Sequence, residues 1–267
     1  MNFKLKSAIQ WILSVTPGSV ELNRYTQLYV TKSLPISDTQ LAARRVIAQK
    51  HLSSYTRIVG RPPVAVLDLG SGSDLAIPIL MAASGRAVTA ADITRLSSER
   101  LQNDILLRVD AGSMSELGVE YIVYNPPDLP FQDNSFDLIT STSVLEHVPL
   151  GQIERLASEL YRVLRHGGVS THHIAHKDHW SDSDASLHDL NYLRYDERRW
   201  RRFNPPLLHQ NRLLSSQYVD IFARYGFAIE RQTSVTTPPP FQIAEQFARF
   251  SPEDLRTTHT WLTLTKG

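Results

Sequence analysis

The sequence predicts an α/β protein with a mostly parallel sheet. Three observations lead there. Val64 to Leu69 is an apolar run broken only by Asp68, and it enters the glycine turn Gly70-Ser71-Gly72. That order reads as a buried strand, a tight turn and the start of a helix. Beyond Val64, strand-like and helix-like stretches alternate, the pattern of βαβ units. A second short strand, Ala87–Ala91, ends in Asp92, roughly 20 residues after the turn, the spacing of a ribose-binding carboxylate.

The turn carries its own chemistry. Glycine tolerates φ > 0 and leaves room where backbone must approach a ligand. The free N–H groups of the following helix then face that ligand. A nucleotide-type pocket at the carboxyl end of the sheet is the expectation. A dinucleotide fingerprint would place a third glycine at position 75, where this chain has Leu75. Asp92 could instead cap a helix, or do both.

Residues 1–60 read as helical. Met1–Val15 forms an amphipathic helix stopped at Pro17-Gly18, without the cleavage site of a signal peptide. Leu41, Val46, Ile47 and Leu52 recur at helical spacing within Asp38–Tyr55. Arg61-Pro62-Pro63 ends this region. Later elements are a buried strand Leu138–Ser141, a helix Leu150–Leu164 and a helix Ser215–Tyr225. The stretch 176–212 is too long for a structureless connection, so it should fold partly as helix and close over a substrate. A second insertion starts at Thr236-Thr237-Pro238-Pro239-Pro240-Phe241.

Composition narrows the function. The 267 residues carry a net charge of +1, which gives no overall field for nucleic acid. The arginine-aromatic run Arg194–Phe203 could hold phosphates or an anionic group, or be a solvated helix face. There is no cysteine, so disulfides, thiolate metal sites and cysteine nucleophiles are excluded. No stretch reaches the ~20 apolar residues of a membrane span. A cytoplasmic protein is the expectation.

Asp68-Leu-Gly70-Ser-Gly72 resembles motif I of the class I S-adenosylmethionine-dependent methyltransferases, with Asp74 where that family usually has its last glycine. Leu129-Pro-Phe131, Phe136-Asp137 and Glu146-His147 are similar to the family's "LPF…FD…EH" segment. Leu164-Arg-His-Gly-Gly168 resembles the turn before its fifth strand, with His166 for a proline. Gly226-Phe227 resembles its entry to the sixth strand, and Thr258–Thr265 its seventh. The resemblance implies a seven-stranded α/β core with an N-terminal helical lid (1–60). Residues 61–267 would form the core, with a cap inserted at about 176–212. It also implies that S-adenosylmethionine lies over Asp68, Gly70, Ser71 and Gly72. The ribose would meet Asp92 and Ile93, and the adenine Asn125, Asp128 and Leu129. Ser141 would sit at the strand end towards the sulfonium. Pro126 has no N–H to offer the adenine, so adenine binding must be altered or Asp128 must take part.

Methyl transfer needs alignment of the acceptor and removal of a proton from a hydroxyl or an acidic carbon. Histidine suits that work, and this chain has ten. Strand alternation puts His172 and His173 on opposite faces. His173-Ile-Ala-His-Lys-Asp-His179 and Asn211-Arg-Leu213 resemble elements of some small-molecule and sugar-pathway methyltransferases. The candidate bases are His147, His173 and His179, with Asp178 or Glu146 as orienting acids. Substrate contacts fall to His176, Asp178, Asn211 and Arg212. No metal site is expected, because the clustered histidines lie on a strand rather than at helical ligand spacing. Asn125-Pro126-Pro127-Asp128 lacks the aromatic of nucleic-acid amino-methyltransferases, which speaks against a base as target.

The reading is therefore a methyltransferase that modifies a small-molecule acceptor at oxygen or carbon, in secondary metabolism or sugar modification. A non-catalytic S-adenosylmethionine-binding protein and a nucleotide-dependent oxidoreductase are the alternatives. Leu75 speaks against the latter.

Overall fold

The computed structural model describes residues 3–14, 18, 34–182 and 184–267. Pro17, the expected stop of the first helix, lies outside them. Helix α1 spans Phe3–Ser14, and α2 spans Asp38–Val59. The ends of α2 are written in sequence. Ser37 and Gln40 form a reciprocal capping box at its start, with bonds of 3.2 and 2.8 Å. Gly60, at φ 78°, closes its end through an N–H bond to the Thr56 carbonyl.

The core then alternates: β1 (Ala65–Leu69), α3 (Ala76–Ala82), β2 (Ala87–Asp92), α4 (Glu99–Arg108), α5 (Met114–Leu117), β3 (Val119–Val123) and β4 (Phe136–Thr142). Helix α6 (Leu150–Val163), β5 (Leu164–Ala175), α7 (Glu197–Trp200), α8 (Ser215–Arg224), β6 (Phe227–Val235) and β7 (Thr257–Lys266) follow. The seven strands form one sheet in the order β3-β2-β1-β4-β5-β7-β6. All neighbours are parallel except β7, which runs against β5 and β6.

Strand β3 is invisible to hydrophobic pattern, because only Val119 of its five residues is buried. The glycine turn expected before the fifth strand lies within β5, as a register shift between the pairs Phe136–Leu164 and Leu138–Val169. Asp92 caps no helix, since Ser98 precedes α4.

Helices cover both faces. Val66, Val88, Leu138 and Val169 pack with α2, α3 and α4. Leu67, Leu69 and Ile139 pack with α6 and α8. Strand periodicity produces this split, because adjacent residues point to opposite faces. Helix α6 contributes Ile153, Leu156, Ala157, Leu160 and Val163, one stripe at helical spacing.

A third cluster, built on Trp180, Leu190, Tyr192, Leu193 and Trp200, gives the 176–212 insertion its own core. Phe3 joins it, so α1 packs on the insertion. Ser7 Oγ and Trp11 Nε1 both donate to the Arg202 carbonyl, at 3.2 and 3.0 Å. The insertion is a chain of single turns, of which only α7 is α-helical.

Candidate functional site

Strand order reverses between β1 and β4, and a crevice opens there at the carboxyl ends. Gly70 follows β1 at φ 67°, and its N–H bonds the Ala91 carbonyl at 2.8 Å. Any side chain at Gly70 would collide with Val144, which follows β4, so the two strand ends touch at a place only glycine fits. Ser143, with φ 54°, turns the chain out of β4 in a conformation costly for a non-glycine residue.

A cavity opens over this junction. Gly70, Ala91, Tyr124, Pro126, Pro127 and Val144 give it an apolar wall, and Leu156 adds to it. Asp92 and Ile93 line one end and His147 another. Asp92 accepts the Tyr121 hydroxyl at 3.1 Å and the backbone N–H groups of Ser71 and Gly72. Burial raises its pKa to about 6. An apolar slot with a carboxylate at one end suits a nucleoside: the ring fills the slot and the ribose hydroxyls donate to the acid. Gly72 leaves open space where a side chain would stand.

The rest of motif I supports the turn. Asp68 is buried and accepts the Thr140 hydroxyl at 2.6 Å, and burial pushes its pKa to about 7. Ser71 Oγ donates to the Asp68 carbonyl at 3.0 Å. Asp74 turns inward, where Oδ1 accepts the Ala76 N–H at 3.0 Å. It thus satisfies one of the free donors at the start of α3.

The expected adenine residues sit elsewhere. Leu129 is buried in the core and its N–H donates to Glu159 at 2.9 Å. Asp128 pairs with Arg155 at 2.6 Å on the surface. Neither residue lines the cavity, nor does Asn125; Tyr124, Pro126 and Pro127 do. Ser141 Oγ is held by His172 Nδ1 at 2.7 Å inside the core. Tyr121, Tyr124, Val144 and Gln152 were not singled out by motif, because their place depends on how strands and helices meet.

Of the three candidate bases, the structure brings two together. The rings of His147 and His179 lie 4.9 Å apart, and His173 faces α2 on another side of the sheet. His147 Nδ1 meets the His209 carbonyl at 2.7 Å. A carbonyl only accepts, so Nδ1 carries the proton and Nε2 keeps its lone pair. Desolvation by the atoms packed around the ring lowers the His147 pKa. Burial and the neighbouring His147 bring His179 down to about 4. Both rings are therefore neutral near pH 7.

The expected substrate residues are spent on the insertion. His176 bonds the Leu213 carbonyl and the Thr260 hydroxyl at 3.1 and 2.8 Å. Asp178, buried, accepts from the Trp180 N–H and Asn191, both at 2.9 Å. Asn211 donates to the Leu145 and Val148 carbonyls at 2.8 and 2.9 Å, which pins the turn that carries His147. Arg212 pairs with Glu197 at 2.5 Å between the rings of Trp200 and Phe247. Glu146, an expected orienting acid, is buried with its pKa raised to about 8, and its Oε1 accepts the Ala175 N–H. Among the described residues no cluster of metal-ligating side chains is placed to hold an ion, and no helix is long and apolar enough to cross a membrane.

Comparison with known proteins follows the geometry. Residues 67–171 match the "methyltransferase domain" family model. The ubiquinone/menaquinone biosynthesis C-methyltransferase of Psychromonas ingrahamii is 36% identical over 110 residues, covering 39% of each chain. Its counterpart in Brucella abortus is 35% identical over 114 residues, 40% of this chain and 38% of the other. The chain thus spans about two-fifths of the length of these curated relatives. The solved PH0226 protein of Pyrococcus horikoshii shares the fold, with a TM-score of 0.55 at 16% identity over 91% of this chain and 99% of that one. So does Haemonchus contortus phosphoethanolamine N-methyltransferase 2 bound to S-adenosylhomocysteine, at 0.53 and 17%, over 91% and 60%. The glycine turn, the acid at the end of β2 and the matched domain agree: residues 67–171 form a methyltransferase domain similar to those of the class I S-adenosylmethionine-dependent methyltransferases.

Proposed function

We propose that this methyltransferase acts on a small-molecule acceptor at oxygen or carbon, with His147 as the base. When bound, S-adenosylmethionine supplies an electrophilic methyl group on its sulfonium. The chain's residues would do the rest. Gly70, Gly72 and Ser71 shape the turn on which the cofactor rests. Asp92 would accept the ribose hydroxyls beside Ile93, and Tyr124, Pro126 and Pro127 would bound the adenine.

His147 Nε2 would take the proton as the acceptor's oxygen or carbon gains the methyl group. His179, tilted against it with the ring centres 4.9 Å apart, would favour the neutral ring. Asn211, through the Leu145 and Val148 carbonyls, would keep the turn in place. The described part of residues 1–60 and the 176–212 insertion would form the lid and cap of an enclosed acceptor site. The C-methyltransferase relatives, which align over about two-fifths of their length, support carbon as one target.

The observation that carries this reading is the combination at His147: a ring in the cofactor cavity, Nδ1 fixed as donor, a lowered pKa and a free Nε2. Turnover with labelled S-adenosylmethionine and a panel of phenols, hydroxylated rings and sugars tests it. His147→Asn should lower turnover about 100-fold and leave cofactor affinity nearly unchanged. Equal turnover in the variant removes His147 from the role. Cofactor uptake with no turnover on any acceptor favours the binding-protein alternative.

A further inference from the structure

A second groove lies beside α2, on the face of the sheet that His173 occupies. It lies between Lys50 on α2 and His173, Gln232, Ser234, His259 and Trp261 on β5, β6 and β7. The register explains the grouping. His173 pairs with Trp261 across β5 and β7, and His259 lies two residues before Trp261, so all three point to one face. The His173 and His259 rings stack at 5.4 Å, only 6° from parallel. Trp261 stands 5.5 Å from His173, and Lys50 Nζ sits 4.2 Å above the Trp261 ring.

Two features of this wall are unbalanced. His173 Nδ1 and Trp261 Nε1 are both buried without a hydrogen-bond partner. Buried polar atoms nearly always have one, and each left open costs about 1–3 kcal/mol. None of the lining residues is acidic, so the Lys50 ammonium faces the Trp261 ring and no carboxylate among them. The groove therefore presents a cation beside an unused indole N–H, and an unused imidazole nitrogen a ring-width away on flat walls.

Backbone links one wall of the groove to the chain that borders the cofactor cavity. The Ser143 N–H bonds the His173 carbonyl at 2.8 Å, and the next residue, Val144, lines the cofactor cavity. His51 on α2 bonds Thr142 at 3.1 Å and packs 4.6 Å from Trp261.

We propose that this groove is a second binding site, distinct from the His147 cavity, and that its ligand is a planar hydroxylated ring bearing a carboxylate. The carboxylate accepts from Lys50 and Trp261 Nε1, where a charge-assisted bond is strongest. The hydroxyl meets His173 Nδ1, and the ring lies along the His173–His259 stack.

The test is calorimetric titration of the full chain, with and without S-adenosylhomocysteine, using 4-hydroxybenzoate, benzoate and phenol as probes. 4-Hydroxybenzoate should bind most tightly. Lys50→Gln should weaken it about 10-fold while leaving phenol unchanged. Trp261→Phe, which keeps the ring and removes the N–H, should weaken both carboxylates and not phenol. S-adenosylhomocysteine affinity should stay the same in both variants, which also shows that they fold. The proposal is overturned if 4-hydroxybenzoate shows no binding up to roughly 10 mM, or binds the wild type and Lys50→Gln alike. If the probe binds through Lys50 but no acceptor is turned over, the groove stands and the catalytic reading fails.

Discussion

His172 and His173 are neighbours in sequence and opposites in the molecule. His172 points to the α8 face, where Ser141 and Ser170 take both its nitrogens at 2.7 and 2.8 Å and Phe222 stacks on its ring. His173 points to the α2 face with Nδ1 unpartnered. The same contrast divides the wider site. His176, Asp178, Asn211 and Arg212 have spent their polar atoms on holding the insertion, whereas His147 keeps Nε2 free at the cavity wall. A residue's chemistry becomes available to a ligand only where the fold has left its atoms unpaired.

The contrast breaks first if His172→Ala is harmless. That change removes a buried ring and leaves two hydroxyls without partners, so it should cost about 4 kcal/mol. His173→Ala, beside an open groove, should cost about 1 kcal/mol or less. Chemical denaturation of the two variants compares them directly, and equal losses would mean that the two faces are not different in kind.

The dependence on pH sharpens the same point with a smaller effect. Burial lowers His172 to about 3, and His173, His176 and His179 to about 4. The unfolded chain binds protons at these sites from about pH 6.5 downward while the folded chain refuses them, so stability is lost as pH falls through that window. Burial acts oppositely on Glu146 and Asp68, raised to about 8 and 7: the fold keeps protons that the unfolded chain gives up above about pH 4, so they cost stability as pH rises from there to those values. Asp92 and Asp178, raised to about 6, partly offset the histidines on the acid side. His51, His147, His209 and His259 are lowered too, so the histidines prevail there. The melting temperature should peak near pH 6.5 and fall by roughly 10 °C towards pH 4.5. A flat thermal profile across that range would refute neutral burial of these rings.

The smallest of these effects concerns ligand affinity. Asp92→Asn should weaken S-adenosylhomocysteine binding about 10-fold, by removing one charge-assisted acceptor, with the melting temperature nearly unchanged. Titration calorimetry reads the first and thermal melting the second. An unaltered affinity would move the ribose away from the end of β2.

Much of the architecture was legible in advance. Alternating strand and helix patterns carried the parallel sheet, and Ser37, Gln40 and Gly60 show how local chemistry closes a helix. β3 was not legible, because an edge strand with one buried residue has no period to read. The glycine turn and the place of Asp92 at the end of β2 were legible, since both follow from local strand and turn patterns. The partner of the Leu129 N–H was not: it is Glu159, thirty residues away.

Sequence by itself determined the sheet, the glycine turn and the kind of cofactor, because strand periodicity, positive φ and motif spacing are local properties of the chain. Only the tertiary structure decided which histidines are free. That outcome depends on hydrogen bonds between segments far apart in the chain, such as His176 with Thr260 and His147 with His209, and on which face each strand turns towards a helix. Residue type sets what a side chain can do; long-range packing sets whether anything is left for it to do.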